Sequence, residues 1–261
     1  MKAKAIVKIC ICGTIALVLA SMLVSLLALP RVLDWKIGDL SLHWIDDHGG
    51  DEGYTVGEAS VSGEVRELDV SWLSGSVTVE LTDGDAVTLR EEPQPESSDA
   101  RMRWKLKDGK LTVYSQKSGL TIPTRAKQLT IGIPASRAAK LQKLSLDLSA
   151  ATASLPALTL RELELDSVSG SAELEGIFDS VDANTASGSV RLTSSSLPRE
   201  IDADTVSGDV TLTLPKDSAF RYEFDTISGR LKSSLPGAVS GSDATVEIDT
   251  TSGGLTLQPL D

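Results

Sequence analysis

The chain has 261 residues, a formal net charge of −12 and only 4% aromatic residues. That length buries a sizeable core. The negative charge speaks against nucleic acid, whose phosphates need clustered Lys and Arg, and against an ectodomain lying on an anionic membrane surface. Cys10 and Cys12, the two cysteines, sit together in an apolar run and read as small hydrophobes, so no disulfide framework holds the fold.

The first predicted element is that apolar run, "ICICGTIALVLASMLVSLLAL" over 9–29, which contains no charge. As a helix it spans about 32 Å, close to the hydrocarbon thickness of a bilayer. Lys2, Lys4 and Lys8 precede it, so residues 1–8 stay cytoplasmic and the remainder is extracytoplasmic, giving a single-pass protein of the cell membrane. A cleaved signal peptide is the alternative, with V-L-A before Ser21 as the site. The run exceeds the usual ~7–15 residues of a signal core, however, and cleavage would leave "SMLVSLLALP" exposed. Residues 30–60, with Trp35, Trp44 and "HWIDDHGGDEG", read as a juxtamembrane stalk.

The ectodomain, 61–261, alternates apolar and polar residues as half-buried strands do, in "SGSVTVEL" (74–81), "KLTVYS" (110–115) and "QLTIGIP" (128–134). "KDGK" (107–110) predicts a hairpin turn. "EEPQPESSD" (91–99) predicts a loop, and "ASRAAKLQ" (135–142) the single short helix.

A repeat dominates from 144 to 257. "LELDSVSGSAEL" from Leu163, "VDANTASGSVRL" from Val181, "IDADTVSGDVTL" from Ile201, "YEFDTISGRLKS" from Tyr222 and "VEIDTTSGGLTL" from Val246 align without gaps. "LSLDLSAATASL" from Leu144 and "LDVSWLSGSVTV" from Leu68 are weaker copies. From Ala151 through Gly170, Gly188, Gly208, Gly229 and Gly253 the spacings are 19, 18, 20, 21 and 24, the drift of stacked β-coils. Columns one and three, and ten and twelve, are apolar and face a core. Between them D-T-x-S-G is turn chemistry. Asp accepts from a backbone N–H two residues on, Gly supplies a conformation closed to other residues, and Ser and Thr hydroxyls link adjacent coils.

The expected fold is therefore all-β, a single-stranded parallel β-solenoid (β-helix or β-roll) behind one transmembrane helix, right-handed by the crossover rule. A β-sandwich of stacked hairpins is the alternative. Pro259, close to the C-terminus, is expected to blunt an exposed β edge.

The corners at 166–170, 184–188, 204–208, 225–229 and 249–253, each followed by a short apolar-alternating strand, resemble those of the bacterial "putative adhesin" family of domains of unknown function. LiaG-like, membrane-anchored envelope proteins belong to that family. The resemblance covers roughly 61–257. It implies a β-helical or β-roll ectodomain, sometimes found beside envelope-stress regulators, with adhesion as its presumed role. Ala151 for Gly and Asn184 for Asp depart from the pattern.

No catalytic or cofactor-binding residue stands out, and no cofactor is implied. His43 and His48 both fall in the stalk, so the repeat body cannot hold a Ser-His-Asp or Cys-His triad. The stalk's "HWIDDHGGDE" offers metal-ligand types but no established ligand spacing. The outward columns are acidic: Glu164, Asp166, Asp182, Asp202, Asp204, Glu223, Asp225, Glu247 and Asp249, with Asn184 among them. In stacked coils they form a double ladder suited to weak cation binding or to a cationic ligand. An anchored interaction or scaffold module, serving adhesion or envelope stress with an envelope protein or cationic ligand as partner, is the expected function. A passive spacer and a carboxylate-based enzyme acting on envelope glycan are the alternatives. Five equal acidic repeats argue against an active site, which needs one special constellation.

Overall fold

Alternation with a period of two continues along almost every segment, and the computed structural model turns it into strands. It describes residues 50–118, 125–235 and 243–260. Residues 1–8, read as cytoplasmic, the segment read as transmembrane, both cysteines, His43 and His48 lie outside these. Before the regular repeats, and with the weak copy from Leu68 in β3, the strands are β1 (Thr55–Val56), β2 (Ala59–Val61), β3 (Glu67–Thr82), β4 (Val87–Glu92), β5 (Arg103–Lys107), β6 (Lys110–Tyr114) and β7 (Lys127–Pro134). A one-turn helix, α1 (Ala135–Ala138), follows. The repeats supply β8 (Lys143–Ser154), β9 (Leu158–Ser169), β10 (Ala172–Ser187), β11 (Val190–Ser194), β12 (Glu200–Thr205), β13 (Val210–Pro215), β14 (Arg221–Thr226), β15 (Leu231–Ser233), β16 (Thr245–Thr250) and β17 (Leu255–Leu260).

Each repeat is one coil with a strand before the corner and a strand after it, all paired in parallel with the neighbouring coils. The first apolar column runs Leu68, Leu144, Leu163, Val181, Ile201, Val246, Tyr222 in unbroken register. After the corner, Ala153, Ala172, Val190, Val210, Leu255 and Leu231 align in the same way. Like therefore stacks on like, about 4.8 Å apart. Leu144, Leu163, Leu192 and Leu212 are at most 1% exposed, and each full burial of such a side chain is worth roughly 1.5–3 kcal/mol. This is the β-solenoid-like repeat expected, and its sheet does not close on itself.

The corners add one contact to the expectation and revise another. In three of them the Thr holds the turn. The backbone N–H of Gly208, Gly229 and Gly253 donates to the hydroxyl of Thr205 (2.9 Å), Thr226 (2.7 Å) and Thr250 (2.8 Å), three residues back. The Asp side chains stand on the outer face. Gly is required for close approach rather than for an unusual dihedral: only Gly75 and Gly170 in the column have positive φ, 108° and 133°. A Cβ on Gly188, Gly208, Gly253 or Gly229 would lie 1.7, 1.7, 1.8 or 1.9 Å from the carbonyl oxygen of the adjoining glycine. The Ser column links coils as expected. Ser252 Oγ, for instance, donates to the Val206 carbonyl at 3.3 Å. Asp209 adds a link by accepting from the Gly254 N–H at 2.8 Å.

Coil order departs from chain order. β16 and β17 insert between the coil of β12–β13 and that of β14–β15, so the last repeat in sequence is next-to-last in space. The inward positions explain the exchange. Val246, Ile248, Leu255 and Leu257 are all aliphatic and at most 1% exposed. The displaced coil would offer Tyr222, Phe224, Leu231 and Ser233, and Ser233 is the weaker core filler. Pro259 is accordingly not at the end of the stack. It pairs with Leu214 on one side, while the terminal coil β14–β15 reaches only Leu257 on the other. Among the described residues Pro259 thus still lies on an edge without a strand partner.

The opposite end is not purely parallel either. β5 runs antiparallel on β6 through the predicted turn, with Asp108 at φ 53° and Gly109 at φ 85°, and β1 adds to β5. β4 lies antiparallel on β7, and β2 on β4. Residues 55–61, at the end of the stretch read as stalk, thus supply two short edge strands to the body. Beneath this cap lies an ion pair absent from the repeat pattern. Lys127 Nζ sits 2.6 Å from Glu91 Oε1, with side-chain exposures of 3% and 1%.

Candidate functional site

The outer faces of the strands before the corner carry the acidic residues, because inward apolar positions alternate with outward polar ones. Register brings together every carboxylate expected there. One row runs Glu164, Asp182, Asp202, Glu247, Glu223 and the next Asp166, Asn184, Asp204, Asp249, Asp225. The weaker repeats extend both rows, with Asp69 in the first and Asp147 in the second. The signal for these two is the alignment of the weaker repeats from Leu68 and Leu144; the regular copies alone do not reach them.

Cations and amides relieve the repulsion unevenly. Lys110 Nζ is 2.7 Å from Asp69 Oδ2, and Lys143 Nζ lies 2.7 Å from Glu164 Oε1 and 3.1 Å from Glu162 Oε1. Hydrogen bonding to Lys143 holds the Glu164 carboxyl below its ordinary value. Asn184, the departure from Asp, donates its amide to Asp166 at 3.1 Å and to Asp182 at 3.0 Å. A carboxylate at that position would add charge where the amide now bridges two. Even so, burial, then Asp202 and Asp166, push the Asp182 carboxyl above its usual range.

Asp147 is the most perturbed member. Burial, then Asp69 and Asp166, raise it to about 6, against the lowering effect of the Ser71 hydroxyl that donates to it at 3.3 Å. A carboxyl raised on folding binds its proton more tightly in the folded state than in the unfolded. Stability from this group is therefore complete below pH ~4 and is lost as pH rises through about 6. Asp147→Asn is expected to raise stability at pH 7 by about 1 kcal/mol, allowing for solvent screening of a partly exposed group. Thermal melts should show a gain of about 2–4 °C at pH 7 and none at pH 4.

The face is repetitive. Two clefts lie away from it, among residues 62–141. One is lined by Glu64, Leu68, Val87, Ile133, Arg137 and Lys140, and there Lys140 and Arg66 approach Glu64 at 3.6 and 3.9 Å. Among the described residues no group of three or more His, Cys, Asp or Glu side chains is arranged to hold a metal ion.

A family model, Toastrack DUF4097, matches residues 65–198 and, overlapping, 138–258. The chain belongs to the Toastrack DUF4097 family. The resemblance read from the corners, to a family of domains of unknown function, is thereby borne out. Among solved structures, the Toastrack chain is similar to a "putative cell adhesion protein" of Clostridium sporogenes, at 11% identity and TM-score 0.46, covering 79% of this chain and 100% of that one. It is also similar to a "putative adhesin" of Bacteroides fragilis, at 14% identity and TM-score 0.48, covering 80% and 98%. A "putative adhesin" of Parabacteroides merdae is a third, at 10% identity and TM-score 0.30, covering 81% and 98%. No curated protein matches the sequence.

Proposed function

We propose that this Toastrack domain is a non-catalytic interaction module of the cell envelope, held at the membrane by residues 9–29 with its body outside. Its acidic face meets a cationic partner, such as a basic segment of another envelope protein. The observation that supports this reading is the in-register assembly of the two carboxylate rows. A surface with repeated charge at about 4.8 Å intervals suits a repetitive or extended cationic ligand better than a single small molecule. Adhesion and a role in envelope stress are both uses of such a module.

The test takes the purified full chain in detergent and a fluorescent oligolysine peptide. Binding is expected to weaken steadily with salt. It should fall at least about tenfold, about 1.4 kcal/mol, when Asp202→Asn, Asp204→Asn, Glu247→Gln and Asp249→Asn are combined. Binding that survives this neutralisation overturns the acidic face as the docking surface. Calcium at millimolar concentration competes with the peptide on this reading and raises the melting temperature. An unchanged melt sinks the cation part of it.

A further inference from the structure

The two ends of the coil stack are unlike. At the end built by the non-repeated part, antiparallel strands cover the ladder on both sides of the corner, and the outermost pieces are the two-residue β1 and the three-residue β2. Short, antiparallel edge strands of this kind prevent further pairing. At the other end the ladder stops at β14 and β15, each paired on one side only among the described residues, with β16 and β17 respectively.

Among the described residues the core is open there. Val246, Ile248, Thr250 and Leu255 of the preceding coil are 1%, 1%, 7% and 0% exposed. Their counterparts one coil out, Tyr222 and Phe224, are half-buried, Thr226 is exposed, and Leu231 is 37% exposed. Ile227, at the tip of the corner, is 83% exposed, whereas Val168 at the same corner position of an interior coil is 46% exposed. An unpaired edge beside uncovered apolar side chains is a template for another strand.

Charge indicates which strand. In the terminal coil Glu223 and Asp225 stand on β14, before the corner, and Arg230 and Lys232 stand beyond it, around β15. We infer that two copies of the chain join end to end at this coil, about a two-fold axis that bisects the corner. Such an axis lays β14 of one copy antiparallel over β15 of the other. It places Asp225 and Glu223 beside Arg230 and Lys232 of the second copy, twice over. The two Ile227 side chains meet at the axis. A two-fold axis across the strand would instead lay β14 on β14 and bring the carboxylates of both copies together, which costs free energy. Because the other end is capped, the assembly closes as an isologous dimer and does not extend into a fibre.

The experiment is disulfide cross-linking of the full chain in membranes, in a background with Cys10→Ala and Cys12→Ala. Ile227→Cys is expected to give a covalent dimer, and Val168→Cys, also exposed but on an interior coil, little. Glu223→Lys with Asp225→Lys should cut the Ile227→Cys dimer at least about fivefold, by placing basic residues against basic. Adding Arg230→Glu and Lys232→Glu to the same chain should restore it, which a loss of folding would not allow. Sedimentation equilibrium of the unmodified full chain in detergent should show a dimer that weakens with salt. A monomer at all concentrations, equal cross-linking at both cysteine positions, or failure of the fourfold exchange to restore the dimer overturns the inference.

Discussion

Gly208→Ala is expected to lower stability by about 3 kcal/mol or more, a melting-temperature loss of roughly 6–12 °C. The added methyl would lie 1.7 Å from the Gly188 carbonyl oxygen and 2.8 Å from its carbon, and both are backbone atoms. No rotamer change relieves such a contact, because the whole adjoining coil would have to move while its neighbours hold it in register. Dihedral strain is not the cause, since Gly208 lacks a positive φ. Gly253→Ala, 1.8 Å from the Gly208 oxygen, should behave alike. Ala151 occupies the same column as the native residue and is 2% exposed. Ala151→Gly is therefore expected to cost only about 0.5–1 kcal/mol, through backbone entropy and one lost methyl. Chemical denaturation of the three variants checks the contrast. Equal losses at positions 151 and 208 would rule out carbonyl contact as the reason for glycine.

The columns that carry this prediction are legible in the sequence because coil stacking forces each position into one environment. Leu68, Leu144, Leu163, Val181 and Ile201 align on residue type and spacing alone, and they pair in that register. The roles inside the corner are only half legible. A carboxylate and a hydroxyl can both hold a turn, and only the packing shows that Thr205 lies beneath the corner while Asp204 stands on the outer face. The exchange of the last two coils is hidden for another reason. Local alternation is the same whichever slot a coil takes. The one hint is the longest spacing, 24 residues from Gly229 to Gly253, which leaves chain enough to return. Both acidic rows follow from the period of two, but their extension to Asp69 and Asp147 rests on the degenerate repeats, where the corner motif itself has decayed.

Nothing periodic marks Lys127 or Glu91, because their partnership joins segments that do not repeat. Lys127→Met is expected to destabilise the protein by about 3–5 kcal/mol, the usual cost of leaving one member of a buried pair alone. Lys127 Nζ also donates to the Ala100 carbonyl at 2.8 Å and to the Ser115 carbonyl, and lies 5.0 Å from the Trp72 ring centre. The Glu91 oxygens each accept from the Met102 N–H at 3.1 Å, and Trp72 Nε1 donates to the Lys127 carbonyl at 3.0 Å. One ammonium, at the start of β7, thus ties together β4, the loop after it and the end of β6, beside Trp72 of the first coil. With Lys127→Met the carboxylate stays buried at 1% exposure, together with two carbonyls that lose a donor. Lys127→Met combined with Glu91→Gln removes the stranded charge, keeps an acceptor for Met102, and should recover about 1–2 kcal/mol of the loss. A double-mutant cycle by denaturant unfolding measures the coupling, and additivity of the two substitutions would contradict it. The cap that this pair secures is also what closes one end of the stack. Loosening it should expose the β3 edge and turn an assembly limited to pairs into longer, concentration-dependent oligomers, visible by light scattering below the melting temperature.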